Sequence, residues 1–180
     1  MTLSFAISLL DRDILQHLGN HFNCKVYLHH RKNKAPCHIL SIPTKYCEYF
    51  RELGYSQGAK TFDVHIPEVP EYNLKYLLRG MIDGDGTIRK GINDFEVRFF
   101  SVSKTLFNQY KTIIEKLGYK YGISTHPKYG ESTISVSSLD FLLWLYSDRL
   151  DLCISRKLQI VNDKVDDIVH TYSIVKNRRM

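Results

Sequence analysis

The chain has 180 residues, 43% of them hydrophobic, with 25 Lys and Arg against 19 Asp and Glu. That apolar content excludes a disordered or low-complexity protein and allows one compact domain or two small packed halves. The formal charge of +6 and a pI near 9.1 suit a polyanionic partner such as nucleic acid, and equally an ordinary basic enzyme.

Met1 to Leu10 is apolar but has no basic flank, and Asp11, Arg12 and Asp13 end it. It does not read as a signal peptide, and no stretch is long enough to span a membrane. Leu3 to Ser8 reads as a strand. Asp11 to Phe22 reads as a helix with Ile14, Leu15, Leu18 and Phe22 on its apolar face. Lys25 to His29 and His38 to Ile42 read as two strands joined by the turn Arg31 to Pro36, and Lys45 to Leu53 as a second helix followed by Lys60. Tyr72 to Asp83 carries Leu74, Leu77, Leu78, Met81 and Ile82 at helical spacing. Pro67 and Pro70 precede it, and the glycines of Gly84-Asp85-Gly86 are expected to end it.

Phe95 to Val102 alternates as a strand. Lys104 to Leu117 is a helix stopped by Gly118. Tyr121 to Thr125 and Ser132 to Val136 form two strands across a turn, and Leu139 to Tyr146 a short helix with Ser138 as N-cap. Residues 158 to 180 read as a C-terminal helix with a basic tail, Lys176, Arg178 and Arg179, solvated or touching phosphate. Cys24, Cys37, Cys47 and Cys153 include no C-x-x-C pair, which argues against zinc and for reduced thiols in a cytoplasmic protein.

The order strand, helix, two strands, helix, basic residue occurs twice, with corresponding positions about ninety residues apart. The helix over Tyr72 to Asp83 occurs once. The expected units are a truncated first repeat (1–66), a complete second repeat (67–160) and a C-terminal helix and tail (161–180).

The run Leu78-Arg79-Gly80-Met81-Ile82-Asp83-Gly84-Asp85-Gly86 carries the chemistry. Gly80 and Gly84 lie on one helix face, where the lack of Cβ atoms admits close packing of another helix. Two carboxylates at a helix C-terminus face the negative end of its dipole, an arrangement that suits a divalent cation with oxygen ligands. A plain D-G turn is the simpler reading. A calcium loop fails, because Thr87 and Ile88 stand where a ligand and a glycine are needed.

This run resembles the signature of the LAGLIDADG homing endonucleases. Leu78, Gly80, Ile82, Asp83, Asp85 and Gly86 are identical to it, and Arg79 is the main departure. Both copies resemble the family's αββαββα repeat over about residues 3 to 160. The resemblance implies an α+β fold of two pseudo-symmetric halves with antiparallel DNA-binding sheets, the first half truncated. It implies a sequence-specific double-stranded DNA endonuclease that hydrolyses phosphodiesters with Mg²⁺. Asp85 would be the metal ligand with the Gly84 carbonyl beside it, and Asp83 would cap or buttress the helix junction. The family's basic residue near each site corresponds to Lys60 and to Lys157 or Arg156, which would stabilise charge on the phosphate.

A ribbon in the major groove needs polar side chains on one face. The candidates are Lys25, Tyr27, His29, Arg31, Lys32 and Lys34 in the first copy, and Arg89, Lys90, Arg98, Thr125, Lys128, Ser135 and Ser137 in the second. Single-chain family members carry two signature helices, and this sequence carries one. A homodimer or second chain would supply the other, or the protein nicks, or it has kept DNA binding as a regulator. An RNA-binding maturase is a further alternative.

Overall fold

Two antiparallel sheets, each backed by helices, make up the chain. The computed structural model describes residues 3–52, 64–90, 95–127, 130–148 and 150–177. The first half contains β1 (Leu3–Ser8), α1 (Arg12–Phe22), β2 (Val26–His29), β3 (Cys37–Ile42) and α2 (Thr44–Glu52). Its core is small: Leu15, Leu40 and Ile42 are buried, packed by Phe5, Ile7, Leu18, Phe22, Val26, Tyr46 and Phe50. Alternation along the strands and helical spacing in α1 bring these residues to one side of the sheet. After α1 the chain turns back at Asn23 in the left-handed region (φ 52°), and the Cys24 amide donates to the Gly19 carbonyl at 2.7 Å.

The second half contains α3 (Glu71–Asp85), β4 (Gly86–Lys90), β5 (Phe95–Ser101), α4 (Lys104–Lys116), β6 (Gly122–Thr125), β7 (Ser132–Val136), α5 (Leu139–Leu145) and α6 (Ser155–Asn177). The side chains of Ser103 and Ser138 cap α4 and α5 by accepting from Leu106 N and Phe141 N. Gly118 follows α4 with φ +77°, as its stop-signal reading requires. The core joins Leu78 and Ile82 of α3 to Val97 and Phe99 of β5, Tyr110 and Ile114 of α4, Ile134 and Val136 of β7, and Phe141, Leu142 and Leu145 of α5. Burying each such large apolar side chain contributes about 1.5–3 kcal/mol before entropy is counted.

The strand orders are β1-β3-β2 in one sheet and β4-β5-β7-β6 in the other. Matched in order, β1 corresponds to β5, β3 to β7 and β2 to β6. Among the described residues no counterparts of α3 and β4 accompany the first sheet, and β1 lies at its edge. α6 starts at Ser155, ahead of the helix predicted from 158 and of the unit boundary expected at 161. The linking segment is tied to α4, where Ser103 Oγ donates to Val64 O and the Ile66 amide donates to Gln109 Oε1 at 2.8 Å. Among the described residues, no helix is long and apolar enough to cross a membrane.

A Cβ on Gly19 would stand 2.8 Å from the Cys24 carbonyl oxygen, which is main chain and cannot swing aside. Gly19→Ala should lower stability by about 1–3 kcal/mol. Urea unfolding would report this as a lower midpoint; an unchanged midpoint would show that the return after α1 relaxes freely.

Candidate metal centre and nucleic-acid face

The helix α3 does not stop at Asp83, as its glycines predict, but runs through Gly84 to Asp85 and passes into β4 at Gly86 without a loop. Three interactions account for this. Lys157, 2% exposed on the first turn of α6, donates its ammonium to the carbonyls of Ile82, Asp83 (2.8 Å) and Gly86 (2.8 Å). A cation at the carboxyl end of a helix satisfies open carbonyls and opposes the dipole. Gly86 is the second factor. Its φ of −114° suits any residue, but a Cβ there would lie 2.6 Å from Arg98 O and 2.7 Å from Ile82 Cα. Glycine is needed for space, because β4 leaves the helix against β5.

Asp83 supplies the third. It is buried, and its carboxylate accepts from Tyr146 Oη at 2.7 Å and from the Ile154 amide at 3.2 Å. Burial raises its pKa, opposed by those two hydrogen bonds and by the nearby Lys157 and Arg79 charges. Burial likewise lowers the Lys157 pKa, opposed first by Asp83. Burial, Asp83 and their mutual hydrogen bond hold the Tyr146 phenol protonated well above its ordinary range. Arg79, the departure from the signature, is 2% exposed and turned into its own half. Its Nη1 donates to Leu145 O (3.2 Å) and Asp148 O (2.7 Å), tying α3 to the end of α5.

The two carboxylates of the motif therefore differ. Asp83 is consumed by the junction, whereas Asp85 is exposed beside the exposed Gly84. Gly84 and Asp85 line a cleft of about 660 Å³ together with Val64, Ser101, Leu106 and Glu131. Among the described residues, no group of three or more His, Cys, Asp or Glu side chains is arranged to hold a metal. The donors at this open cleft are the exposed Asp85 carboxylate and the Gly84 carbonyl, with the Glu131 carboxylate elsewhere on the lining. That fits a hard cation such as Mg²⁺, which keeps several waters and takes one or two carboxylates plus phosphate oxygens. Gly80 and Gly84 present an open face, since a Cβ at either would meet nothing within 4 Å. The close helix packing expected there is absent among the described residues.

The basic residues fall in different places. Lys60 and Lys128 lie outside the described residues. Lys157 was expected near the surface, facing phosphate; its three ammonium hydrogens instead meet three carbonyls in the interior. Arg156 pairs through Nε and Nη2 with the Asp11 carboxylate at 3.2 and 3.0 Å. On the second sheet the register puts Thr87, Arg98 and Ser135 in one row across β4, β5 and β7. Arg98 is engaged there by Glu96. Arg89 is exposed, and Lys90 pairs with Asp167 of α6 at 2.9 Å. Thr125 is exposed on β6 and Ser137 is exposed just after β7.

On the first sheet Lys25, Tyr27 and His29 are exposed on and beside β2. Arg31, Lys32 and Lys34 are exposed in the turn that follows, where Arg31 Nε donates to Ala35 O. Sequence reasoning passed over Asp11, Asp13, Tyr146 and Glu131. Only the three-dimensional return of α5 and α6 onto α3 and α1 gives the first three their partners.

These features define an α+β protein in which a central helix hands a free carboxylate straight onto the edge of an antiparallel sheet. A family model described as the LAGLIDADG-like domain matches residues 73–165, more than half of the chain, and the chain belongs to that family. Its fold is that of homing endonucleases. Structures of mesophilic variants of the homing endonuclease I-DmoI are similar at TM-score 0.53 and 14% identity, over 83% of this chain and 82% of theirs. I-DmoI in complex with DNA and Ca is similar at 0.54 and 14%, over 81% and 73%. Full-length DUF199/WhiA from Thermatoga maritima is similar at 0.54 and 16%, over 98% of this chain and 58% of that one. No curated protein matches the chain.

Tyr146→Phe removes one of the two donors to the buried Asp83 carboxylate. It should cost about 1–3 kcal/mol, measured as a shift in chemical denaturation with the helical signal retained. A neutral result would show that water or relaxation replaces the phenol.

Proposed function

We propose that this protein is a sequence-specific endonuclease of double-stranded DNA, acting with a divalent cation held at Asp85. The observation that carries the reading is the division of labour at the end of α3. One carboxylate is buried and fixed, and the next is exposed at an open cleft beside a sheet. A DNA-bound structure with Ca of a protein sharing the fold supports it.

Asp85 would hold the cation, with the Gly84 carbonyl beside it. When bound, Mg²⁺ would polarise the scissile phosphate and favour hydroxide as the attacking group. The chain's own residues do the rest. Asp83 and Tyr146 fix the helix end, and Gly86 lets β4 leave at the angle set by β5. On the sheets, Tyr27, Arg89, Ser135 and Ser137 would face base edges, while Lys25, Arg31, Lys32 and Lys34 would meet phosphates. Lys128 belongs to the same proposed set, and Lys60 would stabilise charge on the scissile phosphate. The open Gly80/Gly84 face would accept a second helix from another chain, bringing a second acid. With Asp85 alone, a single-strand nick is the expected product.

A second reading is a DNA-binding regulator without cleavage. It is supported by the open Gly80/Gly84 face, against which no helix packs among the described residues, and it is compatible with the fold shared with full-length DUF199/WhiA along 98% of this chain. The two readings separate on one variant. With Mg²⁺ and a cognate duplex, Asp85→Asn should lower cleavage or nicking roughly a hundredfold or more, while metal-free binding of the duplex stays within about threefold. A wild-type protein that binds the duplex tightly and never breaks a strand would establish the regulator.

A further inference from the structure

The first turn of α6 touches both halves at once. On one side, Asp13 of α1 accepts from the Ser155 amide at 3.3 Å and from the Ser155 hydroxyl, and the Asp11 carboxylate accepts from Nε and Nη2 along one edge of the Arg156 guanidinium. On the other side, the next residue, Lys157, caps the carbonyls that end α3. Asp11 is buried, its side chain 5% exposed against 48% for Arg156. The contacts join segments about 145 residues apart in sequence. Asp13 satisfies the first amide of α6 as an N-cap supplied by another helix.

We propose that Ser155, Arg156 and Lys157 form a positioning relay, through which the docking of the first half onto α6 sets the carboxylate of Asp85. Lys157 is a positioning residue in this scheme, and makes no phosphate contact. The physical reason is saturation: an ammonium has three hydrogens, and all three are directed at carbonyls on either side of the Gly84-Asp85 pair. Moving α6 along or about its axis would pull those carbonyls with it, because an unbonded buried ammonium costs more than the displacement. Asp11 and Asp13 fix that axis. Coupling of this kind needs a contiguous chain of packed and hydrogen-bonded groups, and here each link has named atoms. The second half alone would keep its signature helix, but with a looser end. The role assigned to Asp85 rests on the nuclease reading above; the mechanical link does not.

The test uses the whole chain and two kinds of measurement. Amide hydrogen exchange is followed in wild type, Asp11→Ala, Asp13→Ala and Lys157→Met, comparing residues 84–88 with the β5–β7 pairing as an internal reference. The relay predicts exchange at 84–88 faster by about tenfold in all three variants, with the reference little changed. Acceleration confined to α1 and α6 in the two aspartate variants would overturn it. So would uniform acceleration everywhere, which would mean only a loss of global stability. If Lys157→Met does not fold, the aspartate variants still decide the question.

The second measurement is the salt dependence of metal-free duplex binding. Lys157→Met should leave the slope of log affinity against log salt unchanged. A slope shallower by about 0.9, the contribution of one lost phosphate contact, would return Lys157 to the DNA and overturn its positioning role. A protein that binds no duplex would end the nuclease reading, while the exchange comparison would still test the link.

Discussion

The carboxyl end of α3 sets the constraint on which the structure depends. A helix that passes directly into a strand has no loop in which to turn its last carbonyls to water. Those carbonyls carry the negative end of the dipole, and here they are buried under α6. The ammonium of Lys157 resolves this by donating to Ile82, Asp83 and Gly86 together. Without that cation, the helix would have to end earlier, at the glycines. Asp85 would then sit on a turn rather than on a helix terminus braced by Asp83, Tyr146 and Arg79.

The braces are individually expensive. A buried carboxylate, a buried ammonium and a buried guanidinium all lose hydration, offset by buried partners: Asp83 accepts from Tyr146 and Ile154, Lys157 donates to three carbonyls and Arg79 Nη1 to two. Breaking one link is costly because it leaves a buried polar group unpaired, while the intact network fixes one geometry. Such a network suits a site in which one exposed carboxylate must stand still in front of a ligand. It also separates the roles of two acids that look equivalent in sequence. The first is an internal fastener; the second is available for chemistry.

Much of the fold was legible because it follows from periodicity and punctuation. The strands Leu3–Ser8 and Ser132–Val136 fall where alternation puts them, and the caps Ser138 and Gly118 act as read. The duplication was legible from the repeated order of elements, and the matching strand orders of the two sheets give it a geometric form. What the sequence hid depends on contacts between distant segments. Glycine signals predicted an early end for α3, because nothing local announces a lysine arriving from 71 residues beyond Gly86. Arg79 looked like a departure from a motif, and its partners are main-chain oxygens at the far end of α5. Asp11 and Asp13 looked like a polar helix start, and they hold another helix. The Gly80/Gly84 face was read as a close-packing face, yet no helix packs there among the described residues, because glycine spacing says nothing about what covers a face.

The central claim is that the junction of α3 and β4 delivers Asp85 to a cation at a DNA phosphate. The most direct measurement is anomalous diffraction from crystals of the protein with a bound duplex and Mn²⁺. The account predicts an anomalous peak coordinated by the Asp85 carboxylate and by a phosphate oxygen of the duplex. A duplex seated on the sheets with Asp85 remote from its backbone, or a peak held by other residues, would contradict it.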